Sequence, residues 1–246
     1  MGKTLAICGK GGAGKTTIAA IIARRLRQEN RRALIIDADP AGGLGYALGL
    51  RPKRTLNDIR TATIRAAREG GDRQELSLTA DFLLLEAVLE VGPLAFLSIG
   101  LPETKGCYCE INRLLRDVIE TLASQFDVTV IDGEAGVEQV NRQVMHNLDS
   151  LWLISDSSPK GLHVAEAISE TAARFELAQR VGIVLNRVRE GDLERARQST
   201  SLPIVAAVPV DETLLQFDAE GRSLFALPDC SAVLVVETAW KSTLSK

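Results

Sequence analysis

The stretch GKGGAGKTT, residues 9–17, lies between an apolar run at 5–8 and a helical pattern at 15–29. Its spacing satisfies G-x-x-x-x-G-K-[ST], which is typical of a phosphate-binding loop when a strand precedes it and a helix follows. The glycines let backbone N–H groups turn inward toward phosphates. The stretch therefore predicts a nucleotide site built on an α/β fold.

On both sides of this loop, short apolar runs alternate with helical stretches, as in a doubly wound fold. The predicted strands are 5–8, 32–37, 81–86, 94–100, 127–132, 150–155, 181–186 and 203–209. The predicted helices are 15–29, 55–69, 109–124, 137–147, 160–176 and 229–241. Because the apolar runs lack polar alternation, we expect a mostly parallel sheet with helices on both faces, as in a P-loop NTPase. Ligands of such sheets bind at the carboxyl ends of the strands.

The composition of the 246-residue chain, 46% hydrophobic and 25% charged, is typical of a globular protein with a sizeable core. The strand–helix rhythm breaks at about 50–105, where the chain is long, charged and partly helical. We expect one ATPase domain over 1–246, with an elaboration of the nucleotide site at about 50–105.

The charge pattern gives no reason to expect nucleic acid or membrane as a partner. Net charge is −3, and no apolar run approaches the ~20 residues that span a bilayer. One basic cluster is interpreted as a solvated helix face rather than a nucleic-acid patch. It contains Arg24, Arg25, Arg27, Arg31 and Arg32. We expect a cytoplasmic protein with reduced thiols.

Two lysines lie in the glycine-rich loop. Lys15 is expected to contact the β- and γ-phosphates of ATP or ADP, and the Thr16 hydroxyl to ligate Mg²⁺. The remaining predicted phosphate-site residues are Gly11, Gly12, Ala13, Gly14 and Thr17. Lys10 is extra, and with it the loop resembles the deviant Walker A motif of dimeric ATPases. That group contains the nitrogenase iron protein, septum- and plasmid-positioning ATPases, and metallocentre maturation ATPases.

The resemblance implies a catalytic role for Lys10 in trans. In the group, the first lysine reaches across a dimer interface to the phosphates bound by the partner. A cation supplied in this way neutralises charge that develops during phosphoryl transfer, as an arginine finger does. Lys10 and Lys15 are therefore both predicted catalytic residues.

Aspartates end two of the predicted strands. Asp37 and Asp39 follow the second strand in IIDADPAGG, and Asp132 ends VTVID, which looks like a Walker B strand. The resemblance implies that Asp39 orients the attacking water or the waters of Mg²⁺, and that Asp132 holds Mg²⁺ through water. Asp37 is expected to support these groups without touching the nucleotide or the metal. An ordinary Asp-Pro turn is the alternative for Asp39.

Two later strand ends are candidates for the purine site. In the resembled group, the segments VLNRV (184–188) and VPVDE (208–212) flank the base. Asn186 is then expected to read the adenine edge with its amide, beside Arg187. The Pro209 to Asp211 segment is expected to pack on the ring or bond to it.

The stretch GCYC contains Cys107 and Cys109 just before a predicted helix. Alternation along an extended segment points both sulfurs to one side. Two thiolates are too few for a closed metal site, but a two-fold axis between two chains would supply four. Four thiolates suit Zn²⁺, an Fe–S cluster or square-planar Ni²⁺.

Several motifs together resemble the CooC-type accessory ATPases. They are KGGAGKTT, DADPAGGLGYALGL, LPETKGCYCEINRLLR and VIDGEAGVEQVNRQ. The resemblance implies an ATP-hydrolysing metallochaperone that dimerises with nucleotide. It would carry Ni²⁺, with Zn²⁺ possible in its place, between Cys107 and Cys109 of two chains. The client would be carbon monoxide dehydrogenase or acetyl-CoA synthase. The chain departs from the family pattern at Glu110, Ile111 and Ala41, which leaves the client open.

Two other functions are kept as alternatives. One is an ATP-dependent iron–sulfur reductase-type protein with a [4Fe–4S] cluster between subunits, although its two cysteines would be far apart in sequence. The other is a positioning ATPase of the septum or plasmid type, although a membrane-binding version needs a basic amphipathic C-terminal helix.

Overall fold

The computed structural model describes residues 2–70, 72–101, 109–133, 144 and 147–244, with backbone only at 73, 77, 109 and 110. The strands are β1 (Lys3–Gly9), β2 (Ala33–Asp37), β3 (Leu89–Val91), β4 (Leu94–Ser98), β5 (Val128–Asp132), β6 (Leu148–Ser155), β7 (Ala178–Val188) and β8 (Ile204–Pro209). The helices are α1 (Lys15–Gln28), α2 (Gly43–Leu48), α3 (Leu56–Arg68), α4 (Arg73–Ala87), α5 (Cys109–Ala123), α6 (Pro159–Arg174), α7 (Asp192–Ser199), α8 (Glu212–Ala219) and α9 (Ser231–Leu244).

The strands form one sheet of eight in the order β3-β4-β2-β5-β1-β6-β7-β8. Only β3 is antiparallel to its neighbour within this sheet. Strands β2 to β5 lie on one side of β1 and β6 to β8 lie on the other, so the connections change direction at β1. The predicted α/β fold is confirmed, and a crevice is expected at the carboxyl end of β1.

Apolar side chains cover both faces of the sheet. Along β1, Ala6 and Cys8 point into one core layer, and Leu5 and Ile7 point into the other. Helices α1 and α9 pack on the Leu5 face, whereas α3 to α6 pack on the opposite face. Strands buried on both faces explain why the apolar runs show no alternation.

The predicted strand at 81–86 is wrong, because these residues belong to α4. A short continuous apolar run such as DFLLLE cannot by itself distinguish a buried strand from a helix. The sequence nevertheless contains a signal for the start of this helix. The Asp72 carboxylate accepts hydrogen bonds from the backbone N–H groups of Gln74 and Glu75, and the Glu75 carboxylate accepts one from the backbone N–H of Asp72. This reciprocal pair is a capping box.

Other elements also differ from prediction. The short helices α2, α7 and α8 and the three-residue strand β3 were not predicted. They carry too few turns or residues for a periodic signal. Most of the predicted helix at 137–147 lies outside the described residues.

The basic cluster is only partly a solvated face, because Arg24 is 4% exposed. Its guanidinium donates to the Leu227 carbonyl at 2.7 Å, to Asp229 at 2.7 Å and to Glu237 at 3.0 Å. A buried charge needs such partners. Arg24 therefore fixes α9 against α1, and it is unavailable to an external anion.

Candidate nucleotide site

The glycine-rich loop joins β1 to α1 at the point where the connections change direction. Gly9, Gly12 and Gly14 have φ values of 135°, 74° and 95°, in the region that favours glycine. Gly14 occupies the N-cap of α1 and has no side chain to accept from the first-turn N–H groups. Those donors and the helix dipole are suited to an anion. The Lys15 amine lies beside the loop, 3.3 Å from the Lys10 carbonyl oxygen.

Strand β7 holds the loop from one side. The Asn186 amide nitrogen donates to the Ala13 carbonyl at 2.8 Å, and Arg187 donates to the Gly12 carbonyl at 3.4 Å. The Asn186 side-chain oxygen accepts from the Arg187 N–H at 3.0 Å. In this arrangement the Asn186 amide supports the phosphate loop, and its role at adenine stays a prediction.

Lys10 forms an ion pair within its own chain. Its amine donates to Asp156, just after β6, at 2.8 Å, and the two side chains are 31% and 45% exposed. Burial opposes ionisation of Asp156, but hydrogen bonds from Lys10 and Ser158 outweigh it and lower the pKa of the carboxyl. Asp156 was missed from sequence, although an aspartate directly after a strand at this edge is a usable signal. The role of Lys10 in trans stays a prediction.

Asp132 is the most unusual group at the site. It is fully buried, and neither carboxylate oxygen has a hydrogen-bond partner among the described residues. Burial, with a smaller contribution from neighbouring Asp37, raises its pKa to about 7. The Thr16 hydroxyl, directed towards the carboxylate but short of hydrogen-bond geometry, and then the Lys15 charge oppose this shift. A buried carboxylate without a partner fits a bound cation, because Mg²⁺ with oxygen ligands would supply the missing interaction.

Asp37 stands level with Asp132 on the adjacent strand. Its carboxylate accepts from the N–H groups of Gly45 in α2, at 3.0 Å, and of Asp39, at 3.3 Å. Burial nevertheless raises its pKa to about 6. Asp39 accepts from the Ala41 N–H at 2.9 Å, which is the turn geometry considered as its alternative. Asp37 thus anchors the segment that carries Asp39.

Pro209 ends β8, and Asp211 caps α8. The Asp211 carboxylate accepts from the Leu214 N–H at 3.1 Å, the Ser231 hydroxyl at 2.6 Å and the Ala232 N–H at 3.2 Å. Burial acts against its ionisation, but these bonds prevail and lower its pKa to about 2. The carboxylate links α8 to α9, so any contact of this segment with a purine stays a prediction.

Cys107 and the side chain of Cys109 lie outside the described residues, so the predicted thiolate site has no geometry to report. Within the part of the chain that is described, no group of three or more His, Cys, Asp or Glu residues is placed to hold a metal ion. Among those same residues, no helix is long and apolar enough to cross a bilayer.

Sequence comparisons connect this site to known proteins. The model of the CobQ/CobB/MinD/ParA nucleotide-binding domain family matches residues 5–224. An uncharacterised ATP-binding protein of Methanocaldococcus jannaschii is 30% identical over 237 residues, with 93% of each chain covered. The carbon monoxide dehydrogenase accessory protein CooC of Rhodospirillum rubrum is 25% identical, covering 92% of this chain and 91% of its own.

The fold also matches solved structures. A ParA family ATPase from Chlorobium tepidum superposes with a TM-score of 0.74 over 98% of this chain and 99% of that chain. The two sequences are 24% identical. The likeness supports the doubly wound α/β architecture.

Proposed function

The chain belongs to the CobQ/CobB/MinD/ParA nucleotide-binding domain family, and we propose that it is an ATPase that works as a face-to-face homodimer to mature a nickel enzyme. The observation that carries the ATPase assignment is the buried Asp132 carboxylate close to Lys15, which has no hydrogen-bond partner among the described residues. Structural aspartates of a fold core are normally hydrogen-bonded, so this one is held ready for a cation.

The residues of the site have separable roles in ATP hydrolysis. The loop N–H groups and Lys15 bind and orient the phosphates, whereas Thr16 and Asp132 would hold Mg²⁺, which neutralises phosphate charge when bound. Asp39 orients the attacking water. Lys10, released from Asp156, supplies a cation to the nucleotide of the second chain.

The metal-carrying part of the proposal is supported by sequence. The Cys107-x-Cys109 motif stands in a context that resembles CooC, and a named CooC protein aligns over 92% of the chain. Pairing two such motifs across a two-fold axis completes a site of four thiolates for Ni²⁺ as cargo. The client is then carbon monoxide dehydrogenase or acetyl-CoA synthase.

Lys10 gives the test of the ATPase mechanism. We expect Lys10→Ala to keep ATP binding, because Lys15 remains, but to lose hydrolysis and the ATP-dependent dimer. Phosphate release, nucleotide binding and mass by light scattering are measured together, with exposed Lys53→Ala as the matched control. Unchanged turnover in Lys10→Ala would contradict the role in trans.

Nickel titration tests the metallochaperone. With ADP or a slowly hydrolysed ATP analogue, we expect half a Ni²⁺ per chain in a dimer. This binding is lost in Cys107→Ser or Cys109→Ser and kept in Cys230→Ser, whose sulfur lies at the start of α9. A monomer that holds nickel tightly through one pair of sulfurs would refute the shared site.

The second candidate is a positioning ATPase of the septum or plasmid type, because the family description names MinD and ParA. It predicts ATP-dependent binding to liposomes or DNA and no nickel stoichiometry. The iron–sulfur alternative predicts a brown protein after anaerobic purification. The same purified sample, assayed for nickel, vesicles, DNA and visible absorption, separates the three functions.

A further inference from the structure

Helix α4 exposes apolar side chains on the side that faces solvent. Leu78, Phe82 and Leu85 are 63%, 62% and 70% exposed. Their spacing of four and three residues places them on one face of the helix. We call Leu78, Phe82 and Leu85 the α4 stripe.

The opposite side of α4 is apolar as well. Ala80, Leu84 and Ala87 are at most 4% exposed and pack in the core layer shared with α3 and α5. An apolar face of a helix is normally covered by a neighbouring element or by a partner. Among the described residues, neighbouring elements cover α4 on its core side only.

The α4 stripe runs into an open cavity of about 600 Å³. Leu85 belongs to both, and Val88, Leu94, Leu122 and Phe126 continue the apolar lining. One basic and one acidic side chain, Arg32 and Glu90, also line the cavity. Stripe and cavity form one elongated surface, which matches the shape of a helix laid in a groove.

Acidic side chains border the α4 stripe on both sides. Helical spacing places Glu75 and Glu86 along one flank and Asp81 along the other, and all three are exposed. Glu86 forms an ion pair with Arg54 at 3.1 Å, whereas Asp81 makes no hydrogen bond or ion pair with the described residues. The rim therefore favours a partner with basic flanks.

We propose that the α4 stripe docks an amphipathic helix of a partner protein, with an apolar face that covers Phe82 and with lysine or arginine along its edges. A second copy of this chain would bring two acidic rims together, which costs like-charge repulsion. An anionic lipid surface would be repelled in the same way. The surface contains none of the residues assigned to nucleotide or metal, so the proposal does not depend on the proposed function.

The test uses a model helical peptide of leucine and lysine, with leucines at i, i+3, i+4 and i+7 spacing, and a second peptide in which glutamate replaces lysine. Binding is measured by fluorescence anisotropy without nucleotide. We expect Phe82→Asp to weaken the lysine peptide at least ~10-fold, since buried aromatic anchors dominate such contacts. Asp81→Lys is expected to weaken it several-fold, more at low salt. Leu234→Asp is the matched control, because Leu234 is 55% exposed on α9, on the other face of the sheet.

Three results would overturn the proposal: equal binding of the glutamate peptide, no effect of Phe82→Asp, or a nucleotide-free dimer that Phe82→Asp converts to a monomer. Tighter binding of anionic vesicles than of the lysine peptide would do the same. If circular dichroism shows that Phe82→Asp does not fold, the exposed Asp81→Lys variant and Leu78→Gln decide the outcome. Loss of peptide binding in either of these two folded variants supports the surface, and unchanged binding in both rejects it.

Discussion

The buried Asp132 carboxylate predicts that the nucleotide-free protein loses stability as pH rises. Its pKa is about 7 in the folded protein, against 3.8 for an ordinary aspartate such as that of the unfolded chain. Between these pH values the folded state binds more protons than the unfolded state, so the free energy of unfolding falls with increasing pH. From pH 5 to pH 7 the interval is about two pH units, which corresponds to roughly 3 kcal/mol.

Asp132→Asn removes this titration while keeping the size of the side chain. We expect the wild type to lose about 3 kcal/mol more than Asp132→Asn between pH 5 and pH 8, so that the variant is the more stable protein at pH 8. Urea unfolding followed by circular dichroism, with EDTA and no nucleotide, measures both curves. Adding Mg·ATP at pH 8 is expected to stabilise the wild type more than the variant, since a ligand stabilises the state that binds it.

Exposed Asp81→Asn is the control for removal of one carboxylate from the chain. Parallel pH curves for the wild type and Asp132→Asn, or a variant less stable than the wild type at pH 8, would refute the reasoning. Either result would mean that the Asp132 carboxylate already has a partner inside the folded protein.

Three further predictions concern the surroundings of the phosphate loop. Gly14→Ala places a methyl group 2.2 Å from the buried Asn186 amide nitrogen at a φ of 95°, so we expect the free energy of unfolding to fall by at least ~2 kcal/mol. Gly11→Ala, whose methyl group meets nothing within 4 Å, is expected to change thermal unfolding little. Equal effects of the two variants would contradict this reasoning. Asp211→Asn is expected to lower the free energy of unfolding by about 1–2 kcal/mol at pH 7. The difference in stability between the wild type and the variant should vanish as pH falls through about 2, where the wild-type carboxyl protonates. A difference that persists in acid would exclude the carboxylate charge as its cause. Asp156→Asn breaks the partly exposed ion pair with Lys10, which is worth under ~1 kcal/mol, so stability is expected to change little. The freed Lys10 is expected to let the ATP-dependent dimer form at up to ~5-fold lower protein concentration, measured by sedimentation. Weaker dimerisation would show that Asp156 is needed in the dimer.

How far sequence predicted the fold depends on the length and environment of each element. Buried parallel strands such as β1 and β5 leave unmistakable apolar runs, and α1 is fixed by the loop before it. The run at 81–86 misled because α4 is apolar on its exposed side too, which removes the helical period. The capping residues Asp72 and Glu75 were the better signal there.

At the site, sequence predicted which residues gather but not what each one contacts. Lys10 was predicted within the phosphate loop and Asn186 at the adenine edge of the same site, since strand ends converge at one edge of the sheet. Their partners in the free chain, Asp156 and the Ala13 carbonyl, come from β6 and from the loop itself. Such pairings depend on side-chain geometry across strands far apart in sequence, which no local pattern encodes.

The two bonds from β7 to the Gly12 and Ala13 carbonyls have a kinetic consequence. Because the Gly12 and Ala13 carbonyl oxygens already accept these hydrogen bonds, the loop has its phosphate-binding shape before nucleotide binds. Nucleotide binding therefore costs little conformational entropy of the loop. One nucleotide can then be exchanged for another rapidly, without a change in the conformation of the phosphate loop. Whether ATP or ADP is bound is then sensed at Asp39, which follows β2, and at Asp132, which ends β5.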